Sequence, residues 1–141
     1  MKRQALSILS MLSLFLMGSA TAQTVRVRAI VPFNFTVGNE ALPAGEYDIT
    51  SISANTPALL VKAREGNASS IVNSNSAQKT NSAQRSKLVF NVYGSHYFLA
   101  EIWTQGSDLG RRMVKSGREK EVAKELAMQR AKRVEVVASL Y

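Results

Sequence analysis

The chain has 141 residues, with 18 lysines and arginines against 10 acidic residues, one histidine and no cysteine. This length fits a single domain. The lack of cysteine excludes thiol nucleophiles, thiolate zinc sites, redox motifs and disulfide staples. A single histidine also argues against a histidine-based metal site, since such sites usually combine several nitrogen or sulfur ligands. We therefore predict no metal and no cofactor.

The first 22 residues have the layout of a secretory signal peptide. Lys2 and Arg3 give the positive start, an apolar run follows over residues 5–17, and small residues end the segment at 20–22. Because a membrane-spanning helix needs roughly 20 apolar residues, the run is too short for an anchor. We expect cleavage near Ala22-Gln23 and export to the periplasm or the medium, with no transmembrane segment left.

Alternating apolar and polar residues predict strands through the first half of the mature chain. These strands lie at about 25–31, 33–37, 46–53, 57–63 and 67–73. Pro32 interrupts the first pair, and residues 42–45 (LPAG) suit a β-turn. Residues 74–86 contain the word Asn-Ser-Ala-Gln twice and no large apolar side chain. We predict that they form a mobile loop.

The strongest local signal is a β-hairpin formed by residues 87–93 and 96–104. Gly94-Ser95 between them fits a two-residue type II′ turn. This turn sets the register as Tyr93–His96, Val92–Tyr97 and Phe90–Leu99, and continued alternation puts Trp103 on the same face as Leu99, with Ile102 on the other. Both faces are largely apolar, which predicts a central hairpin covered on both sides.

The C-terminal part of the chain predicts a helix. Ser116 and Glu119 have the spacing of a capping box, and good helix formers follow, so we predict a helix from Gly117 to Arg133. Residues 134–141 fit either a continued helix or a short strand. The fold expected is all-β: a single small antiparallel β-sandwich or partly open barrel of about seven strands, with a C-terminal α-helix. The expected division is a signal peptide (1–22), a β domain (23–115) and a basic helix and tail (116–141).

A family resemblance rests on three stretches of sequence: VPFNFTVGNEALPAGEY, KLVFNVYGSHYFLAEIWT and GRRMVKSGREKE. Their order resembles that of small exported proteins of unknown function from soil bacteria of the acidobacterial group, with PF-x-F-x-V-G, LPAG-x-Y and YG-x-x-YFL motifs. The likeness spans roughly Val25 to Leu126. Asn34 stands where those proteins usually have an aspartate, which counts against a chemical role for that position here. The resemblance implies export, a bacterial source and a β-rich domain, and it implies no activity or ligand.

The excess positive charge is concentrated between Arg111 and Arg133, where nine basic residues stand against three acids. We therefore predict that this region meets an anionic polysaccharide or lipid headgroups of the envelope. Export argues against nucleic acid as the partner. The alternatives left open are a solvated helix, since acids and bases are interleaved, and core packing for the aromatic residues. The candidate binding residues are Arg111, Arg112, Lys115, Arg118, Lys120, Lys124, Tyr97 and Trp103.

No catalytic constellation is identifiable, so we predict a non-catalytic protein. His96 lies at the hairpin tip with no orienting partner nearby in sequence. The alternative is a carboxylate-dependent glycan hydrolase, which needs Asp48 or Glu101 in a pocket that faces a second acid. Glu101 could instead pair with an arginine such as Arg26 or Arg28. A third hypothesis is a structural subunit that adds an edge strand to an envelope assembly.

Overall fold

The structure, a computed structural model, describes residues 24–141, so the predicted signal peptide and its cleavage site lie outside the described residues. The elements in chain order are β1 (Arg26–Val31), β2 (Phe35–Val37), β3 (Glu40–Leu42), β4 (Gly45–Ser51), β5 (Ala58–Ala63), β6 (Ser69–Gln78), β7 (Lys87–Tyr93), β8 (His96–Trp103), β9 (Leu109–Met113), α1 (Gly117–Glu125) and β10 (Lys132–Leu140). Over this range, no helix has both the length and the apolar character needed to cross a membrane.

Eight of the strands close into an antiparallel barrel in the order β8-β7-β10-β1-β4-β5-β6-β9, and β9 pairs back with β8. The predicted all-β fold with a helix near the C-terminus is confirmed. The barrel is closed, however, and the sheet has ten strands rather than about seven. The three strands beyond the predicted seven are β3, β9 and β10. The ring closes because β10 pairs with both β1 and β7, and β9 pairs with both β6 and β8.

Alternation along the strands fills the barrel with apolar side chains. Each strand sends every second residue inward, and the largest inward side chains are less than 2% exposed. They include Val27, Ile49, Leu59, Phe90 and Ile102. The protein has no disulfide, so this continuous core holds the barrel closed.

A short hairpin, β2 and β3, packs onto the core. β2 runs parallel to β8, and the Val37 carbonyl accepts a hydrogen bond from the Ser70 hydroxyl of β6 at 3.3 Å. Phe35 meets the rings of Tyr47 and Phe90 edge-on, at 5.0 and 5.5 Å between centroids. The hairpin therefore links strands that are not neighbours in the barrel, and the alternating phenylalanine segment has an architectural role.

Asn34 organises the turn that follows this hairpin. Its side-chain oxygen accepts a hydrogen bond from the Ala44 N–H at 3.0 Å. The Tyr47 hydroxyl donates to the Pro43 carbonyl in the same turn at 2.6 Å. A carboxylate oxygen would accept the Ala44 bond equally well, so the visible role of this position is structural for asparagine and aspartate alike.

A β-bulge in β8 changes which residues of the central hairpin face the core. The predicted register holds from the turn to Leu99, and Ala100 is then an extra residue. A bulge of this kind reverses the alternation beyond it. Ile102 consequently belongs to the barrel core, whereas Glu101 and Trp103 lie on the outer face. The prediction that Trp103 shares a face with Leu99 is therefore wrong.

Helix α1 starts where the sequence predicts and ends early. The Ser116 hydroxyl accepts a hydrogen bond from the Glu119 N–H at 3.1 Å, which confirms the N-cap. The helix ends at Glu125 rather than Arg133, because the following residues are drawn into the barrel as β10. Val122 packs against the outer face of the β7–β8 hairpin, so that hairpin is covered on both sides as predicted.

The segment predicted to be a loop is partly strand. β6 extends through Gln78 and carries the first Asn-Ser-Ala-Gln word. In the second word, the Ala83 N–H donates to the Ser107 carbonyl at 2.9 Å, and its carbonyl accepts from Gly106 at 2.8 Å. Ala77 and Ala83 both pack beside Trp103. Small side chains here allow the chain to lie close to the barrel wall.

Candidate functional site

The candidate site lies on the outer face of four neighbouring strands, β10, β7, β8 and β9, here named the Glu101 wall. Residues that pair directly across two strands lie on the same face. Arg133 of β10 pairs with Asn91 of β7, and Glu101 of β8 pairs with Arg112 of β9. The register therefore collects two arginines, an amide and a carboxylate on one surface, although they are far apart in sequence.

Glu101 is the centre of this arrangement. It is 4% exposed and receives hydrogen bonds at both carboxylate oxygens. Arg112 Nε donates to Oε1 at 3.2 Å, Trp103 Nε1 donates to Oε2 at 2.8 Å, and Arg133 Nη2 lies 2.9 Å from Oε2. A buried carboxylate needs such donors, because it has lost its water.

The electrostatics hold Glu101 in its charged form. Burial by itself would raise its pKa, but hydrogen bonds from Arg133, Trp103 and Arg112 outweigh that effect, and the pKa lies below its ordinary value. The two arginine side chains remain 62% and 55% exposed. One buried carboxylate thus anchors both guanidinium groups, while more than half of the surface of each arginine side chain faces solvent. Such anchoring limits the entropy lost when a ligand binds.

Both aromatic candidates from the sequence lie in packing contacts. Trp103 is 1% exposed, its ring lies against Gly110, and the Lys79 ammonium is 4.0 Å from the ring centroid. A Cβ on Gly110 would come within 2.5 Å of that ring. Tyr97 stacks on Phe33 at 3.9 Å between centroids and packs against the core. Trp103 therefore presents no free ring face on which a base or sugar could stack, and one ring face of Tyr97 is covered by Phe33.

Helix α1 and the Glu101 wall enclose a concave space of about 250 Å³, here named the helix cleft. Its charged and amide lining comprises Asn91, Glu101, Arg112, Lys115, Glu119 and Arg133. Three cations and two carboxylates therefore line the cleft. Pockets for drug-sized ligands begin at roughly 300 Å³, so this cleft has room for one small unit of a ligand.

Glu119 is the residue whose position sequence reasoning missed. It was assigned only to the helix cap, yet it is 4% exposed and lines the cleft. Its Oε1 accepts hydrogen bonds from Asn91 Nδ2 at 3.0 Å and from the Tyr93 hydroxyl at 3.1 Å. The available signal was Asn91, the one amide in the otherwise apolar centre of β7, which needed a polar partner on its outer side.

The predicted basic residues divide between several surfaces. Arg112 and Lys115 line the helix cleft, and they are joined there by Arg133. Arg111 neighbours Arg112 in sequence but points to the other face of β9, where its Nε donates to the Ser74 hydroxyl at 2.9 Å. The remaining three predicted residues are exposed on α1: Arg118, Lys120 and Lys124.

The predicted acidic pair is not brought together. Asp48 lies on β4, which is four places from β8 in the ring of eight strands, so Asp48 and Glu101 lie on opposite sides of the barrel. Arg28 donates instead to Asp48, at 2.6 and 3.2 Å. Glu101 does pair with arginines, as suggested, but the partners are Arg112 and Arg133 and not Arg26 or Arg28. His96 is exposed at the hairpin tip. Within residues 24–141, no cluster of three or more metal-binding side chains is present.

No protein family, no curated protein and no solved structure matches this chain in the comparisons made. The class of this protein is therefore described by its fold and by its candidate site alone. The chain is a closed antiparallel barrel of eight strands whose outer wall carries a charged cleft under a short helix. The likeness to exported acidobacterial proteins stays a prediction from the sequence motifs.

Proposed function

We propose that this protein is an exported, non-catalytic binding protein for an anionic polysaccharide of the cell envelope, and that the helix cleft is its binding site. The observation that carries the proposal is the anchored arginine pair. One buried carboxylate fixes Arg112 and Arg133 side by side while both stay more than half exposed. Lys115 lines the same cleft. Guanidinium groups held in this way suit the carboxylates of acidic sugars.

The mixed lining favours an acidic sugar over other anions. Glu119 and Asn91 offer acceptor oxygens beside the cations, and sugar hydroxyls can donate to such oxygens. The carboxylates of Glu101 and Glu119 would repel a densely charged chain such as polyphosphate more strongly than a polyuronate, whose charges lie further apart.

The helix that covers the cleft also favours a sugar over a bilayer. An interfacial helix inserts an apolar face into the lipid. Val122 and Ala123 of α1, and Leu126 directly after it, pack instead against Tyr93 and Phe98 of the barrel. Lipid headgroups are therefore the less favoured partner and serve as an arm of the test.

The state of Glu101 supports a binding role rather than a hydrolytic one. A glycosidase of the usual kind needs one protonated carboxylic acid and one carboxylate that is free to act on the sugar or on water. Both oxygens of Glu101 are occupied by donors, and its pKa lies below its ordinary value. The hydrolase alternative would have to pair Glu101 with Glu119, which lines the same cleft. Release of reducing ends from polyuronate, abolished by Glu119→Gln, would favour that alternative.

The binding proposal is tested by retention of the purified protein on immobilised polygalacturonate, on a neutral glucan and on anionic lipid vesicles. We expect retention on the acidic polymer alone, and we expect it to weaken as salt rises from about 0.05 to 0.5 M, because the contacts are charged. Binding that is unchanged by salt, or absent from the acidic polymer, would overturn the proposal. Preferential binding to the vesicles would replace the polysaccharide with a membrane surface.

A matched pair of variants locates the site. Lys115→Ala and Lys120→Ala each remove one positive charge, but only Lys115 lines the cleft. We expect Lys115→Ala to weaken binding about fivefold, and Lys120→Ala less than twofold, since a surface charge outside the site acts only through the screened long-range field. Equal effects of the two variants would assign binding to the net charge of the region and not to the helix cleft.

A further inference from the structure

We infer that the ligand continues from the helix cleft into a second cleft on the same wall, so that the protein binds an internal stretch of a linear acidic polysaccharide and not a single sugar. This inference rests on the proposed function. The second space, here named the loop cleft, has a volume of about 390 Å³ and lies between residues 79–85 and the strands β7 and β10. Its polar lining includes Lys79, Asn81, Gln84, Arg85, Lys87 and Glu135.

The two clefts are neighbours on the Glu101 wall. Arg133 lines the helix cleft and Glu135 lines the loop cleft, two residues further along β10. Asn91 and Lys87 are related in the same way on β7, four residues apart. With about 3.3 Å of rise per strand residue, these separations are roughly 7 Å and 13 Å. An extended ligand chain that runs along the strands would meet both clefts in turn.

A chain of contacts connects a cation of the loop cleft with a cation of the helix cleft. Lys79 of the loop cleft lies over the ring of Trp103, and Trp103 donates to Glu101, which anchors Arg133 in the helix cleft. Lys87 is fixed by Glu135 at 2.7 Å. Because Trp103 is almost fully buried between them, it sets the spacing of the cations on either side. A fixed spacing suits a polymer whose charges repeat.

The chemistry of the loop cleft matches that of the helix cleft. It combines three cations and one carboxylate with side-chain amides. Cations can bind the carboxylates of an acidic sugar, and amides can bind its hydroxyls. Occupation of the second cleft by the same chain is an intramolecular event, so it raises affinity through effective concentration. Affinity should therefore increase with chain length until both clefts are filled.

The test uses oligogalacturonates of defined length, from one to eight sugars, titrated into the purified protein by calorimetry. We expect affinity to increase at least about tenfold between the shortest and the longest oligomers that bind, and then to level off. Equal affinity at all lengths would overturn the inference and leave the proposed function standing. Failure of every oligomer and of the polymer to bind would overturn both.

A second matched pair of variants separates the loop cleft from general charge. Arg85→Ala removes a loop-cleft cation, and Arg26→Ala removes an exposed arginine of β1 outside both clefts. We expect Arg85→Ala to weaken binding of long oligomers about fivefold and to leave short oligomers unchanged, whereas Arg26→Ala changes neither. Thermal unfolding of each variant checks that the fold is retained. The inference fails if Arg85→Ala affects short and long oligomers alike, or if it behaves as Arg26→Ala does.

Discussion

Two opposite walls of the barrel carry arginine–carboxylate pairs with different surroundings. On one side, Arg28 of β1 donates two hydrogen bonds to Asp48 of β4, at 2.6 and 3.2 Å. On the other, Glu101 is held by Arg112, Arg133 and a tryptophan. The Asp48 side chain is 27% exposed, whereas that of Glu101 is 6% exposed. The helix α1 covers only the second wall.

This comparison shows that the burial of the carboxylate, and not the ion pair itself, determines how many hydrogen-bond donors the fold places around it. On the open wall, water still solvates Asp48, and one bidentate arginine is sufficient. On the covered wall, the carboxylate has lost water at both oxygens, so the fold supplies three donors. Those donors include two arginines whose outer surfaces are left exposed beside a cleft.

Replacing each carboxylate by its amide tests the difference between the two walls most directly. We expect Glu101→Gln to lower the free energy of unfolding by about 3 kcal/mol, at the low end for a broken buried ion pair because both arginines can rehydrate. Asp48→Asn should cause less than about a third of that loss, since its pair is partly exposed. Urea unfolding of both variants at pH 7 measures the difference. Equal losses would show that burial does not distinguish the two walls.

The packing beneath Trp103 gives a second, smaller expected effect. A methyl group added at Gly110 would lie 2.5 Å from the Trp103 ring and 2.7 Å from the Ile102 carbonyl. We expect Gly110→Ala to destabilise the protein by about 2 kcal/mol through overpacking, with a change in tryptophan fluorescence. Gly117→Ala is the matched control, because no atom lies within 4 Å of its added methyl group. A stable Gly110→Ala variant with unchanged fluorescence would mean that the ring is free to move.

The pH dependence of the free energy of unfolding is a further test of the difference between Glu101 and Asp48. The Glu101 pKa is lowered in the folded state, where the donors from Arg133, Trp103 and Arg112 outweigh burial, and the Asp48 pKa is lowered chiefly by its hydrogen bond from Arg28. A lowered pKa gives stability that is present above the unfolded-state value and is lost as the pH falls through the folded-state value. The loss connected with Glu101 should begin below the ordinary glutamate value of 4.5, and that of Asp48 below 3.8.

Unfolding curves from pH 7 down to about pH 2 measure this effect. The stability difference between the native protein and Glu101→Gln should shrink as the pH falls below 4.5. For Asp48→Asn, the smaller difference should shrink only below 3.8. A difference for Glu101→Gln that stays constant to pH 2 would show that its carboxylate is not stabilised in the charged form.

Local patterns were sufficient for most of the elements. Alternation found seven of the ten strands and missed β3 and β9, while the region of β10 fitted helix or strand equally. Gly94-Ser95 fixed the hairpin register at the turn, and Ser116 marked the start of the helix. Gly94 has a φ of 59°, as the first position of a type II′ turn requires. The errors fell where the local pattern was compatible with two structures. The bulge at Ala100 and the strand after Glu125 are both decided by pairing with distant residues.

The candidate site was predictable only in part. The sequence singled out Glu101 as an acid among apolar residues and Arg112 and Lys115 as basic, and the structure places all three at one cleft. It gave no signal that Arg111 would turn to the opposite face of β9, because the period-2 rule separates neighbours only once a strand is recognised there. Glu119 looked like a capping residue, and only its packing against β7 shows a second role.

By itself, the amino-acid sequence determined that this chain is β-rich, because side-chain periodicity is a local property. It also determined that the fold depends on its apolar core, because a chain without cysteine has no disulfide. Closure of the barrel, the partners of Glu101 and the cleft under α1 were decided only by the tertiary structure. Each depends on pairing between residues far apart in sequence, and β10 joins the chain's end to β1 and β7. Such pairings are fixed by the register of whole strands and by burial against their neighbours, which no short segment encodes.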